Sequence, residues 1–139
     1  LVTTANKDSL NLVVVTLNDG NDWQDHINLF EYGFENYQSY EIIKKGNVQI
    51  YDEVYYKDYD LYVKNNFSYA MTEEESKHIM FKFELEKKRI IENDSVVGKV
   101  KVYLFDEEIM EEDIYVREKE EEKKKTNIQK LIEWFNNLW

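Results

Sequence analysis

Ile79-Met80-Phe81-Lys82-Phe83-Glu84-Leu85-Glu86 sets Ile79, Phe81, Phe83 and Leu85 against Met80, Lys82, Glu84 and Glu86. This period of two puts one set on each side of an extended chain and predicts a half-buried β-strand. Downstream, Val100, Val102 and Leu104 face one way while Lys99, Lys101 and Tyr103 face the other, and Ile109, Ile114 and Val116 close the series. Upstream, Phe67, Tyr69 and Met71 make another strand, and Leu61 and Val63 one more. Val48 and Ile50, then Val54 and Tyr56, flank a turn near Asp52, and Asn93-Asp94 and Gly98 mark further turns. Short strands with turns about every eight to twelve residues predict a small β-sandwich, here over residues 41–117.

Residues 1–40 read differently. Leu1-Val2-Thr3-Thr4-Ala5-Asn6 is rich in β-branched residues, Lys7-Asp8-Ser9 is a turn, and Leu12-Val13-Val14-Val15 is apolar on both faces. Such a run predicts a strand covered on both sides. A helix follows Asn18-Asp19-Gly20, with Asn21 as its cap, Gln24 as capping-box partner, and Asp22 and Asp25 at the positive end of the dipole. Trp23, Ile27, Phe30, Phe34 and Tyr37 form its apolar face, interrupted by Gly33, either a weak point or a close contact. Two strands and one helix cannot cover both faces of a sheet. The zone is therefore expected to complete a layer whose other members precede Leu1.

Residues 118–139 are expected to form a charged spacer and an amphipathic helix. Glu120–Lys124 and Glu121–Lys125 are favourable pairs four residues apart. Ile128, Leu131, Ile132, Phe135, Leu138 and Trp139 share one face, with Trp134 at its edge. That face suits a membrane interface, a protein surface or a second copy. It lacks the surplus of Lys and Arg that anionic lipid would favour.

Composition narrows the functional classes. Lys and Arg total 18 against 29 Asp and Glu, a net charge of −11, which argues against nucleic acid and polybasic lipid binding. No cysteine is present, so disulfides, thiolate catalysis and Cys zinc sites are excluded. Aromatic residues make up 15% of the chain, enough for a sizeable core. No run of about 18 apolar residues occurs.

Motifs for chemistry are sparse. His26 and His78 are the only histidines, and neither has metal-ligand spacing; both read as structural, His26 on the surface or partly buried and His78 at a strand start. Glu73-Glu74-Glu75 lacks the alternating spacing of a calcium loop and reads as a solvated loop. The Tyr-rich stretch from Tyr51 to Tyr62 suits either a sugar-stacking platform or half-buried strand residues, and the second is the commoner use. No serine is followed by Lys at the third position, no Lys-Thr-Gly occurs, and Ser9-Leu10-Asn11 is a chance match to Ser-x-Asn in a turn. No catalytic, metal or cofactor residue is assigned.

The order Leu1-Val2-Thr3-Thr4-Ala5-Asn6-Lys7-Asp8, Leu12-Val13-Val14-Val15-Thr16-Leu17-Asn18-Asp19, Asn21-Asp22-Trp23-Gln24-Asp25-His26 and Leu29-Phe30-Glu31-Tyr32-Gly33-Phe34-Glu35-Asn36-Tyr37 resembles the tail of the penicillin-binding D-alanyl-D-alanine carboxypeptidases, especially clostridial and bacillar forms. Asp94-Ser95-Val96-Val97-Gly98-Lys99-Val100-Lys101-Val102-Tyr103-Leu104 is similar to the turn and strand near the end of that family's β-rich second domain. The resemblance implies an α+β fragment: the end of a β-lactamase-like catalytic domain, a β-sandwich, and a terminal helix at the membrane surface. In such enzymes the serine of Ser-x-x-Lys attacks the D-Ala-D-Ala bond, backbone N–H groups hold the oxyanion, and water releases the acyl-enzyme. Ser-x-Asn and Lys-Thr-Gly complete the family's site, and all three motifs precede the residue matching Leu1, so this chain is expected to support the site without its chemistry. The strand from Leu1 would pair with the Lys-Thr-Gly strand. Many members carry Arg before the aromatic residue matching Trp23, near the substrate carboxylate; here it is Asp22. The implied setting is extracytoplasmic, peripheral to the cytoplasmic membrane, with peptidoglycan stem peptide as the partner of the catalytic half and no cofactor. The competing class is a non-enzymatic β-sandwich spacer or interaction module with its own anchor at the membrane surface.

Overall fold

The structure is a computed structural model that describes residues 1–50 and 54–119. Its first unit is a hairpin with one helix. Strands β1 (Val2–Lys7) and β2 (Leu10–Val15) pair antiparallel, with Val2 opposite Val15 and Lys7 opposite Leu10. Asp8 and Ser9 take φ values of 50° and 67°, the left-handed pair that a two-residue turn between twisted strands demands. The register sorts the side chains. Thr3, Ala5, Leu10, Leu12 and Val14 share the face toward helix α1 (Asp22–Asn36), whereas Val2, Val13 and Val15 lie on the other.

The expected double cover is therefore half present among the described residues. Leu10 and Val14 are buried, but Val13 is 63% and Val15 57% exposed. The helix also turns a different face inward from the one its aromatics suggest. Trp23 is 73% exposed and Ile27 points outward, while His26 and Gly33, seven residues apart, are buried. Gly33 makes a close contact, since a Cβ there would sit 2.5 Å from Leu12 Cδ1. Asn21 makes no side-chain cap; its carbonyl accepts from Gln24 and Asp25, and the Gln24 amide side chain donates to Asn28 instead. The helix stops at Asn36, and the following strand starts at Gln38, ahead of the expected boundary at 41.

Among the described residues the second unit holds seven strands and one helical turn. β3 (Gln38–Ile43) pairs antiparallel with β6 (Phe67–Met71). β4 (Gly46–Asn47), β5 (Tyr59–Val63), β7 (Ile79–Leu85), β8 (Ser95–Leu104) and β9 (Glu107–Glu118) form an antiparallel five-stranded sheet, ordered β4-β5-β9-β8-β7. The core joins both sheets: Ile43 from β3 lies with Leu61, Val63, Val97, Val100, Val102, Ile114 and Val116, and Phe67 from β6 packs against them. This is the expected sandwich, and burying such β-branched and aliphatic side chains is what holds it.

Local departures have local causes. Glu73-Glu74-Glu75 is one helical turn, α2 (Glu73–Ser76), because Thr72 and Glu75 form a reciprocal capping box. Val48 to Ile50 form no strand; the Val48 N–H donates to the Leu61 carbonyl at 2.8 Å, running that segment beside β5. Val54 precedes a turn over Tyr55–Asp58 rather than starting a strand, and Asp52 lies outside the described residues. Gly98 is not at a turn. It sits inside β8 at a bulge, where a Cβ would meet the Glu84 carbonyl oxygen at 2.2 Å. Asn93-Asp94 does form the turn before β8, with Asp94 at φ 62°.

Candidate functional site

The densest polar arrangement lies between the hairpin and α1. His26 is 2% exposed, with Nδ1 2.5 Å from Thr3 Oγ1 and Nε2 3.0 Å from Thr16 Oγ1. The Thr16 hydroxyl donates to Asp22 Oδ1 at 2.5 Å. A hydroxyl has one proton, so with Thr16 donating to Asp22 its oxygen accepts from His26 Nε2–H, and the Thr3 hydroxyl is the partner of Nδ1. Both ring nitrogens are thereby engaged, which makes His26 a strut tying β1, the end of β2 and α1 together. Nearby, the Asn21 N–H donates to Asp19 and holds its carboxyl below the usual range, while a hydrogen bond shared with Asp19 pushes Asp25 up.

The sequence reading missed this burial. A signal for it exists in register: Thr3, Val14 and Thr16 share the covered face, and two hydroxyls on a buried face need a polar partner. Asp22 holds Thr16 in this unit, accepting from its hydroxyl.

Ser9 stands in the hairpin turn, and Asn11, two residues on, accepts from Asn6 across the hairpin at 2.8 Å. Ser76 and Ser95 donate to the carbonyls of Glu73 and Glu92. His78 is at a strand start, as expected, and stacks on Phe105 at 4.6 Å. Among the described residues no group of His, Asp and Glu is arranged to hold a metal, and no helix is long and apolar enough to cross a membrane.

The Tyr-rich stretch is absorbed by packing. Tyr55 and Tyr56 meet edge to face at 5.0 Å, and their hydroxyls donate to the carbonyls of Lys88 and Glu86. Tyr62 faces outward beside Tyr115 at 5.6 Å, with Lys64 over Tyr115 and Arg117 over Tyr62. Its hydroxyl donates to Asp94, and that bond, with partial desolvation, pushes its pKa up to about 12. Tyr51 lies outside the described residues.

The outer face of the five-stranded sheet is a charge ladder. Lys82 bridges Glu84 at 2.6 Å, Lys99 pairs with Glu111, and Lys101 lies 3.5 Å from Glu111, 3.6 Å from Glu84 and 3.8 Å from Glu108. These bonds hold the Glu84 and Glu111 carboxyls below their ordinary values. An open cleft of about 410 Å³ lies between the hairpin tip and β3, lined by Lys7, Asp8, Leu10, Phe34, Tyr37 and Gln38 among others. The apolar set Ile128, Leu131, Ile132, Trp134, Phe135, Leu138 and Trp139 lies outside the described residues.

The described residues thus form a sandwich with its own core and a helix-backed hairpin whose other face is exposed among them. The fold is shared with solved proteins, two among them being a carboxypeptidase and a penicillin-binding protein. One is the D-alanyl-D-alanine carboxypeptidase DacD from Francisella tularensis, with a TM-score of 0.59 and 18% identity over 86% of this chain. The other is penicillin-binding protein 5 from Haemophilus influenzae, with a TM-score of 0.58 and 16% identity over 85% of this chain. The chain spans 33% and 37% of those two proteins. No curated protein matches the sequence. Residues 37–129 match the family described as penicillin-binding protein 5, C-terminal domain, a range that starts at the end of α1 and takes in both sheets. The chain thus belongs to the penicillin-binding protein 5 C-terminal domain family.

Proposed function

We propose that this chain is the C-terminal part of a serine-type D-alanyl-D-alanine carboxypeptidase that removes the terminal D-Ala from peptidoglycan pentapeptides. Its role in that enzyme is to complete and position the catalytic domain, with the nucleophile carried elsewhere. The observation that carries this reading is the bare hairpin face. Residues 1–36 precede the family domain and bury Leu10 and Val14 under α1, yet Val2, Val13, Val15 and Leu17 stay exposed on the other side. A sheet apolar on both faces is the middle layer of a three-layer unit. The free edge of β1 suits a strand bearing Lys-Thr-Gly, and the outward Trp23 and Ile27 suit helices of the same layer. The parent enzyme then works outside the cytoplasmic membrane, and residues 128–139 rest on the membrane surface through Ile128, Leu131, Ile132, Trp134, Phe135, Leu138 and Trp139.

Two measurements test it. The isolated chain is expected to form no covalent adduct with a labelled penicillin, and a stoichiometric adduct overturns the assignment of the nucleophile to another part. The coding sequence upstream of Leu1 is expected to carry Lys-Thr-Gly just before it and Ser-x-x-Lys further back. A stop codon there favours the second reading, a non-enzymatic spacer module, whose support is a core drawn wholly from residues between Ile43 and Val116.

A further inference from the structure

The five-stranded sheet has two unequal edges. β4 closes one with two residues, a short edge of the kind that resists pairing. β7 closes the other with seven, and among the described residues no strand lies beyond it. Its side chains are not those of a guarded edge. Phe81 and Phe83 lie opposite the buried Val102 and Val100, yet they are 47% and 36% exposed, stacked 6.4 Å apart. On the other face Lys82, the residue that would normally repel a neighbour, is neutralised by Glu84 at 2.6 Å.

The backbone parity of β7 is set by its bonds to β8. The Phe105 N–H donates to the His78 carbonyl, and the Glu86 N–H donates to the Val97 carbonyl. His78 and Glu86 therefore point their polar groups at β8, and with a regular register so do Met80, Lys82 and Glu84. The N–H and C=O groups of Ile79, Phe81, Phe83 and Leu85 consequently point outward.

We propose that this edge takes β7 of a second copy, antiparallel, with the two-fold axis through Phe83. The outward groups of Phe83 then bond to those of its own counterpart, and Phe81 pairs with Leu85 of the second copy. Lys82 falls opposite Glu84 of the second copy, and Glu84 opposite its Lys82, in the closer non-hydrogen-bonded positions. Two complementary charge pairs and one aromatic pair follow from a single symmetric contact. An axis through Lys82 gives a longer ladder but sets Lys82 against Lys82, and an axis between residues opposes Phe83 to Lys82 and mixes the two faces. The product is a continuous ten-stranded sheet with the Phe81 and Phe83 rings covered across the join.

Sedimentation of the 139-residue chain tests this through charge. The wild type is expected to show a concentration-dependent dimer. Lys82→Glu and Glu84→Lys, each placing like charges in both pairs, should weaken it ~10-fold or more, and the double swap should recover it to within ~3-fold. Association through the Val13 and Val15 face is indifferent to this swap. Register is read independently, because the sequence has no cysteine. A mixture of Lys82→Cys and Glu84→Cys chains should form a disulfide across a Cα spacing of about 4.5 Å, while Lys82→Cys alone should not. A monomer throughout, a dimer insensitive to the single reversals, or equal cross-linking by Lys82→Cys alone overturns the proposal.

Discussion

At the residue scale, Tyr62 shows how a surface group acquires an unusual property from one neighbour. Its hydroxyl donates to Asp94, and ionisation would place a phenolate against that carboxylate. The bond therefore stabilises the fold fully below the ordinary tyrosine value of about 10 and is lost as pH rises through about 12. In a spectrophotometric titration, Tyr62→Phe should remove a step near pH 12, and Asp94→Asn should move that step down. An unchanged titration in both variants refutes the assignment. His26 teaches a different lesson. A lone histidine following Asp25 reads as a surface or partly buried residue, because sequence spacing on the helix does not reveal which face the hairpin covers. The covered face is the one bearing Gly33, where the backbone comes close to Leu12, and His26 lies on that face two turns earlier. Close approach won over the larger apolar area of Trp23 and Ile27.

At the element scale, β8 carries the sandwich. Its alternation of Val100 and Val102 with Lys99 and Lys101 was legible from period alone, and the structure places the valines in the core and the lysines on the charge ladder. The bulge at Val97 was not legible. It brings both Val97 and Gly98 inside, and leaves no room at Gly98, where the Glu84 carbonyl and the Leu85 Cα stand within 3 Å of any added Cβ. Backbone atoms cannot swing aside as a side-chain end can. Gly98→Ala is therefore expected to cost about 3 kcal/mol in a urea titration, and a loss under about 0.5 kcal/mol would show that β7 shifts freely. Reading Gly98 as a turn residue failed because glycine serves two purposes, turning and close approach, and only the neighbouring strand tells them apart. The same holds for Glu73-Glu74-Glu75: an acidic run is soluble in any conformation, and the bonds to Thr72 make it a helical turn.

At the scale of the whole molecule, the two units differ in how fully they bury their apolar side chains among the described residues. Among the described residues the buried core residues of the sandwich all fall between Ile43 and Val116, so removal of residues 1–36 should leave a domain that unfolds cooperatively with β-type circular dichroism. Loss of a cooperative transition would show that the hairpin and α1 are needed for folding. The hairpin unit is the reverse case, since Val13 and Val15 remain in water with α1 in place.

The sequence by itself determined what alternation and composition can carry: the sandwich strands, the hairpin turn at Asp8 and Ser9, the exclusion of thiol chemistry, and a set of apolar residues on β2 too large for one covering helix. Each of these depends on neighbours along the chain or on a simple count. Only the tertiary structure decided which helix face turned inward, that His26 became a buried strut, that Gly98 lay within a strand, and that the outermost apolar strand kept Phe81 and Phe83 in solvent. Those outcomes depend on which surfaces meet across the fold, and the order β4-β5-β9-β8-β7 leaves β7 at an edge that no local pattern announces.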